Sequence, residues 1–181
     1  LVVSGGKSWY DLPEIFNTIG KENFLGIPIL VWILIVLCVV GHLLLNNTTY
    51  GRKVIAVGGN LKAAKMSGIH VNRVQMSVYI ILGVICGIAA IMTISRIGSS
   101  WPAMGTSMEF TVIAGVVVGG TSLSGGKGSI LGSIVGAFLL GVISNALNLW
   151  GIPAEWQDVA RGVIIFLAVM LDAAKTRNKK Q

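Results

Sequence analysis

The sequence predicts an all-α fold: a polytopic transmembrane helical bundle of about five spans, including short or partial helices. Of the 181 residues, 54% are hydrophobic and only 12% are charged, whereas an average soluble domain carries roughly 25% charged residues. Apolar runs long enough to cross a bilayer recur along the chain, and segments that hold Lys and Arg separate them. Together these observations predict an integral membrane protein.

Residues 1–26 are too polar to cross a bilayer, because charged side chains interrupt them at Lys7, Asp11, Glu14, Lys21 and Glu22. Pro13 suits the first turn of a helix, so we expect an extracytoplasmic loop or an amphipathic surface helix here. The first residue is Leu rather than Met, and we therefore expect a fragment or a trimmed product.

Two apolar runs without formal charge, residues 27–45 and 74–94, predict the first and second spans. His42, near the end of the first run, is typical of a packed or interfacial residue rather than a ligand. In the second run Gly83 and Gly87 form a GxxxG pair, which permits another helix to approach closely.

The segment between these spans, residues 50–73, reads YGRKVIAVGGNLKAAKMSGIHVNR and holds five of the 14 basic residues and no acidic one. Asn60 is a favourable N-cap and Gly68 favours the left-handed end of a helix, so the sequence predicts a short helix over residues 61–67. A helix of about two turns is marginal by itself in water. Two interpretations stay open: a loop whose charges only set the orientation, or a helix held by a docked partner.

Residues 95–108 predict a loop, because Gly, Ser and Pro break any helix there. Residues 109–120, EFTVIAGVVVGG, are apolar, but a helix of this length covers only about half to two-thirds of the hydrocarbon core. We therefore expect a partial helix beside a cavity, or one that borrows residues from Met104 onward. Glu109 would lie at its N-terminus, where a carboxylate is favourable for the helix dipole.

Residues 121–129, TSLSGGKGS, form a turn rich in Gly and Ser. They do not match the phosphate-binding motif GxxxxGK[ST], because Thr121 stands where the first Gly is required and Gly128 follows Lys127. We therefore expect no nucleotide site in this chain.

Residues 130–150 predict the fourth span. Asn145 and Asn148 in its last turns are suited to interfacial hydrogen bonds or to contact with a polar solute. Three glycines spaced four apart predict a smooth ridge for close helix packing: Gly128, Gly132 and Gly136.

Residues 151–157 predict a turn, and residues 158–171 a short last span that begins with the i,i+3 pair of Asp158 and Arg161. The transmembrane domain is thus expected over residues 27–172. Residues 173–181 are expected to be a basic, solvated cytoplasmic tail.

The distribution of basic residues predicts the orientation. If residues 50–73 are cytoplasmic, residues 1–26, 95–108 and 150–157 lie outside, while residues 121–129 and the tail lie inside. Most Lys and Arg residues then lie inside, as membrane proteins require. The N-terminus of the chain is therefore expected outside and the C-terminus in the cytoplasm.

The composition argues against several classes of function. Two distant histidines, two cysteines in apolar runs and seven acidic residues offer no metal set, catalytic triad or carboxylate pair. We therefore expect no enzyme, no metal and no cofactor. The net charge is +7, but the basic residues occupy separate loops without interleaved aromatic residues, so membrane topology explains them better than nucleic acid does.

Two blocks of the sequence resemble the inner-membrane permease of bacterial ribose-type sugar ABC importers: TTYGRKVIAVGGNLKAAKMSGIHVNRVQMSVYIILG and MEFTVIAGVVVGGTSLSGGKGSILGSIVGAFLLGVISNALNL. The galactose, xylose, arabinose and autoinducer-2 permeases are relatives of that family. The resemblance extends from about Gly26 to Asp172. Such permeases are typically nearly twice as long, so the resemblance implies the C-terminal part of one.

The resemblance also implies a division of labour. A periplasmic or lipoprotein sugar-binding protein delivers a monosaccharide, two like or unlike permease subunits form the path through the lipid of the bacterial plasma membrane, and a cytoplasmic ATPase supplies the energy. In such importers a short cytoplasmic helix of the EAA type docks on the ATPase. The stretch that corresponds to this helix is Asn60, Leu61, Lys62, Ala63, Ala64, Lys65, Met66, Ser67 and Gly68. It has the paired alanines and the following Gly of the pattern, but Lys62 stands where the pattern has Glu.

For such a permease we expect the partial helix, the backbone after it and the end of the fourth span to line the path: Glu109, Gly119, Gly120, Thr121, Ser122 and Asn145. The alternatives are a truncated or degenerate permease with a structural role only, and a permease of the branched-chain amino-acid type. The block GGTSLSGGKGS resembles the sugar permeases. The binding protein usually sets specificity, so the sequence does not name the sugar.

Overall fold

The computed structural model describes Pro13, Phe16 and residues 20–178. Most of the predicted N-terminal amphipathic segment, and residues 179–181 of the predicted tail, lie outside the described residues. The described part is mainly helical, which confirms the predicted all-α class. Its elements are β1 (Asn23–Phe24), β2 (Ile27–Pro28), α1 (Ile29–His42, continued by a π-helical turn, Leu43–Asn47), α2 (Thr49–Gly59), α3 (Leu61–Met66), α4 (Val71–Ile97), α5 (Met108–Val118), α6 (Ile130–Leu149) and α7 (Ala154–Asn178).

The sequence does not predict the β-hairpin that precedes α1. Its two strands pair antiparallel across Leu25 and Gly26, which have φ angles of 54° and 79°, as in a tight two-residue turn. Trp32 of α1 holds the hairpin, because its Nε1–H donates to the carbonyl oxygen of Phe24 at 3.2 Å. The first helix therefore begins at Ile29, two residues later than the predicted span.

Three helical segments among the described residues are long and apolar enough to cross a membrane: Ile29–Asn47, Val71–Ile97 and Ile130–Leu149. Each contains most of a predicted span. The helix α4 has 27 residues and is about 40 Å long, so it exceeds the hydrocarbon core of roughly 30 Å. The helix begins at Val71, so the basic loop ends at His70 rather than at Arg73. The helix ends at Ile97, before Gly98 with a φ of 71°, so the predicted loop after it begins at residue 98 rather than 95.

The helix α5 is the partial helix that the sequence predicts after residue 108. It has 11 residues and is about 16 Å long, roughly half of the hydrocarbon core. Its last turn closes in a Schellman motif. The amide of Thr121 donates to the carbonyl oxygen of Val116 at 3.1 Å, and that of Gly120 donates to Val117 at 2.9 Å. Two of the terminal carbonyl groups thus have partners within the chain.

The last helix is longer than predicted in both directions. The helix α7 is a single helix of 25 residues, Ala154–Asn178, which starts inside the predicted turn. The amide of Trp156 donates to the carbonyl oxygen of Pro153 at 3.1 Å, so the helix begins directly after this proline. Residues 173–177 include Ala, Lys and Arg, which are good helix formers, and the backbone therefore does not leave the helix at Asp172.

The chain divides into two units. The first comprises Leu1–Val40 and Asn72–Thr106, and in it Ser95 of α4 is buried against the backbone of Gly20. The second comprises Gly41–Val71 and Ser107–Gln181. It contains α2, α3, α5, α6 and α7. All the candidate coupling, path and packing residues except Gly83 and Gly87 lie there.

The helix α5 forms the core of the second unit and packs against both α6 and α7. Ala114 on α5 is completely buried, and Val117 on α5 and Leu140 on α6 are nearly so. One face of this partial helix is therefore buried in protein, whereas Phe110 and Val112 on the rest of its surface are more than half exposed. Non-spanning backbone is tolerated at membrane depth where protein covers it.

Glycines allow α5 and α6 to pack backbone against backbone. A Cβ atom at Gly136 would lie 2.6 Å from the amide nitrogen of Gly119, and one at Gly115 would lie 3.2 Å from the Cα atom of Ala137. A Cβ atom at Gly132 would collide with the carbonyl oxygen of Gly119. The two antiparallel helices therefore have no room for a side chain at these positions.

The outward faces of the long helices are apolar. Exposed fractions reach 57% at Val36, 71% at Phe138 and 63% at Phe166. Such a surface requires lipid or further protein to cover it, which agrees with a membrane helical bundle.

We expect Gly136→Ala to destabilise the packing of α5 on α6 by about 1–3 kcal/mol, because the added methyl group forces two backbones apart. The midpoint of thermal unfolding of the detergent-solubilised protein measures this effect. Gly141→Ala on the same helix is the matched control, since a Cβ atom there meets nothing within 4 Å. Equal midpoints for the two variants would contradict the close contact.

Candidate functional site

The basic segment begins with a tight corner between the first span and α2. Thr48 caps α2, accepting a hydrogen bond from the amide of Gly51 at 3.1 Å while its hydroxyl donates to the carbonyl oxygen of Leu44 at 2.6 Å. A Cβ atom at the buried Gly51 would collide with the carbonyl oxygen of Leu45. The direction in which α2 leaves the π-helical turn is therefore fixed by backbone contacts.

The short helix α3 is capped at both ends. The amide of Ala63 donates to Oδ1 of Asn60 at 3.0 Å, which confirms the predicted N-cap. Gly68 has a φ of 78°, and its amide donates to the carbonyl oxygen of Lys65 at 3.1 Å, which confirms the predicted left-handed end. The helix ends at Met66, one residue earlier than predicted.

The surface of α3 is mostly open to solvent. Only Ala64 is buried, at 4% exposed, whereas Met66 is 90% and Leu61 51% exposed. The ammonium groups of Lys62 and Lys65 stand beside these apolar side chains on an exposed surface. This combination suits contact with a partner surface that offers an apolar depression and acidic residues.

The end of α2 approaches the loop between α5 and α6 closely at glycines of both segments. A Cβ atom at Gly126 would lie 2.8 Å from the Cα atom of Gly59, and one at Gly58 would lie 3.2 Å from the amide nitrogen of Gly126. A Cβ atom at Gly125 would collide with the carbonyl oxygen of Gly58. We call this backbone contact of Gly58 and Gly59 with Gly125 and Gly126 the glycine clasp.

The loop of residues 121–129 is held by its own hydrogen bonds. The amide of Ser122 donates to the carbonyl oxygen of Lys127 at 3.2 Å, and that of Gly125 donates to Ser122 at 3.2 Å. At its end Ser129 caps α6, accepting from the amide of Gly132 at 3.1 Å. The loop is thus tied to the first turn of α6.

The candidate path residues fall into two groups. Glu109 is exposed in the first turn of α5, whereas Gly119, Gly120, Thr121 and Ser122 lie at the other end of this helix, about 16 Å away.

The antiparallel register of α5 and α6 places Asn145, exposed near the end of α6, at the same end of the helix pair as Glu109. The six residues therefore do not form one cluster; they mark the two ends of the α5–α6 pair.

The candidate packing glycines also differ in their surroundings. Gly132 and Gly136 lie on α6 against α5, but Gly128 precedes this helix and a Cβ atom there would make ordinary contact with Thr121 at 3.6 Å. Cβ atoms at Gly83 and Gly87 would meet nothing within 4 Å. For that pair, close packing against another helix stays a prediction.

A polar cluster joins the end of α6 to the start of α7. Gln157 is buried, and its amide nitrogen donates to Oδ1 of Asn148 at 2.8 Å. The predicted pair of Arg161 and Asp158 is confirmed, with 2.8 Å between Nη1 and Oδ1. Arg161 also donates to the hydroxyl of Ser144 at 3.3 Å. These bonds fix α7 on α6 and leave Asn145 outside the cluster.

Residues 3–169 match the model of a protein family described as branched-chain amino acid transport system / permease component. The chain belongs to this family. Within the part that the structure describes, no group of three His, Cys, Asp or Glu side chains is placed to hold a metal ion.

Several curated relatives of this permease chain are sugar permeases. The ribose import permease protein RbsC of Escherichia coli (strain K12) is 40% identical over 168 residues, which are 93% of this chain and 51% of that protein. RbsC of Bacillus subtilis (strain 168) is 42% identical over 161 residues, 89% of this chain and 50% of that protein. The xylose transport system permease protein XylH of Escherichia coli (strain K12) is 39% identical over 156 residues, which are 86% of this chain and 40% of that protein.

The chain thus spans about half the length of the ribose permeases that it matches. No solved structure matches it.

Sequence reasoning on the permease chain found both caps of α3 but missed the glycine clasp. The two Gly-Gly pairs are visible in the sequence, yet no local pattern pairs residues so far apart. It also missed Gln157, because Gly151 and Pro153 nearby favour a turn and the helix begins only three residues before the glutamine.

We expect Asn60→Ala to destabilise α3 by about 1 kcal/mol, because the amide of Ala63 loses its acceptor. Hydrogen exchange at the amides of residues 61–66 measures the effect and should become roughly fivefold faster, as 1 kcal/mol implies. Asn60→Asp keeps an acceptor and is the control. Equal exchange in both variants would show that the cap does not hold this helix.

Proposed function

We propose that the chain is the C-terminal part of the inner-membrane permease of a bacterial ATP-binding cassette importer for a ribose-like monosaccharide. The agreement with both ribose and xylose permeases over most of the chain carries this proposal. The long apolar helices support a multi-pass position in the membrane. The chain itself is a transport subunit, and hydrolysis of ATP takes place in a separate partner.

In this proposal α3 is the helix that docks on the cytoplasmic ATPase. The caps at Asn60 and Gly68 support this role, because they hold a helix of 6 residues in shape without a partner. The open apolar side chains of Leu61 and Met66 supply the contact area. Lys62 and Lys65 supply charge that favours an acidic docking surface.

The other partners complete the importer. A second permease subunit, like or unlike this one, covers part of the exposed apolar surface and shares the path. A periplasmic or lipoprotein sugar-binding protein delivers the sugar from outside. The path runs along the α5–α6 pair, with Glu109 and Asn145 at its outer end and Gly119 to Ser122 at its inner end.

The proposed orientation places residues 50–73 and 121–129 in the cytoplasm and the N-terminus of the chain outside. The excess of Lys and Arg in the proposed cytoplasmic segments supports it. The glycine clasp also supports it, because it brings these two segments to the same side of the membrane. In this arrangement residues 27–172 form the membrane domain, and residues 173–181 belong to the cytoplasmic end.

A permease for branched-chain amino acids is the second candidate, because the matching family carries that description. A structural subunit without transport of its own is the third candidate. It stays a candidate because the chain covers only about half the length of its ribose-permease relatives.

The substrate class is decided by uptake into vesicles that contain the permease, its ATPase and its binding protein. We expect ATP-dependent uptake of labelled ribose or xylose and none of labelled leucine, because permeases for ribose and for xylose match most of the chain. Uptake of leucine without either pentose would favour the second candidate. A complex that binds and hydrolyses ATP but carries neither would favour the third.

The docking role is decided by reversing charge on α3. We expect Lys62→Glu/Lys65→Glu to reduce co-purification of the ATPase at least about tenfold, since reversed charges against an acidic surface cost several kcal/mol. Gly68→Pro should act likewise, because proline cannot adopt the φ of 78° found there.

Arg52→Glu/Lys53→Glu is the matched control for this charge reversal. It makes the same change of charge at exposed positions of α2 and should retain the ATPase. Retention of the ATPase by both α3 variants, with the permease still in the membrane, would refute the docking role.

A further inference from the structure

The glycine clasp joins two parts of the chain that have separate roles in the proposed transport. One side is the end of α2, directly before α3. The other side is the loop between α5 and α6, the pair of helices along which the path is proposed. No side chain separates the two backbones, because Cβ atoms at Gly59 and Gly126 would come within 3.3 Å and 2.8 Å of the opposite Cα atoms.

The clasp is firmly connected to α3. Asn60 alone separates α2 from α3, and it bonds to both: its amide donates to the carbonyl oxygen of Ala56 at 3.0 Å, and its side chain caps α3 through Ala63. A displacement of α3 therefore carries the end of α2 with it, because no flexible linker lies between the two helices.

The clasp is equally connected to the helices on its other side. Thr121 accepts from the amide of Ser129 at 3.4 Å, and its hydroxyl lies 3.4 Å from that of Ser133 on α6. Its own amide bonds back to Val116 of α5 at 3.1 Å. The loop is thus bonded to the end of α5 and to the start of α6, so it moves with both.

We propose that the glycine clasp is the link through which a movement of α3 displaces the α5–α6 pair and so opens or closes the path. Gly58, Gly59, Gly125 and Gly126 act as positioning residues: they touch neither substrate nor ATPase. The inference rests on the proposed function and adds to it the route by which ATP hydrolysis reaches the path. A direct contact between two glycine backbones suits this role, because these glycines have no side chain that could yield by a change of rotamer.

Two substitutions on opposite sides of the clasp test the link. Gly126→Ala places a methyl group against the backbone of Gly59, and Gly59→Val places a branched side chain against Gly126. We expect the assembled importer to bind the ATPase and hydrolyse ATP within about twofold of wild type. Sugar uptake should fall about tenfold, as for residues that carry coupling between sites.

Each variant has a matched control. Gly98 has a φ of 71°, close to the 75° of Gly126, and a Cβ atom there meets nothing within 4 Å. Gly98→Ala therefore adds the same backbone strain without a contact. Gly141→Val places valine within a helix, with nothing within 4 Å of its Cβ atom. Both controls should retain uptake.

The outcomes separate the inference from the proposed function. Uptake by Gly126→Ala and Gly59→Val equal to that of their controls overturns the link. Loss of the ATPase together with uptake also overturns it, because the clasp would then only hold α3 in its docking position. If Gly126→Ala does not reach the membrane, Gly59→Val and its control decide. A wild-type permease that binds no ATPase overturns the proposed function instead, and the link with it.

Discussion

The backbone of a helix too short to cross the bilayer must find its hydrogen-bond partners inside the protein. The helix α5 has 11 residues and covers only about half of the hydrocarbon core, whose interior supplies no water as a partner. The chain meets this constraint in two ways. Bonds from Gly120 and Thr121 satisfy two of the last carbonyl groups, and the close packing of α6 covers one face of the helix with protein. The glycines of the α5–α6 contact and the bonded loop between the two helices are part of this arrangement, and the same loop contacts α2.

Local chemistry predicts the parts of the fold that depend on few neighbours. The caps of α3 follow from the residue types at Asn60 and Gly68, because each acts on backbone within a few residues of itself. The long spans follow from uncharged apolar runs that are long enough to cross the bilayer. The partial helix follows from an apolar run that is too short to cross it. The resemblance to sugar permeases adds what no pattern of residues shows by itself, namely the kind of partners to expect.

The sequence fails where tertiary packing or a competing local signal decides the outcome. The four-residue spacing singles out Gly132 and Gly136, but their partners Gly115 and Gly119 become visible only when α5 is folded against α6. The pairing of the two Gly-Gly pairs depends on the same folding. The start of α7 is obscured by Pro153, which is as common in turns as it is before a helix. The strands before α1 are too short for any periodicity to appear.

The caps of α3 have a further consequence, which concerns the entropy of association. A free peptide of this length is largely unfolded in water, and a partner that had to order it would lose roughly 1–2 kcal/mol of conformational entropy for each backbone residue fixed. In this chain that ordering is complete before any partner arrives. For the docking proposed above, the surface of α3 is preorganised, so a small contact area is sufficient for useful affinity. Repeated cycles of attachment and release then need not melt and refold the helix.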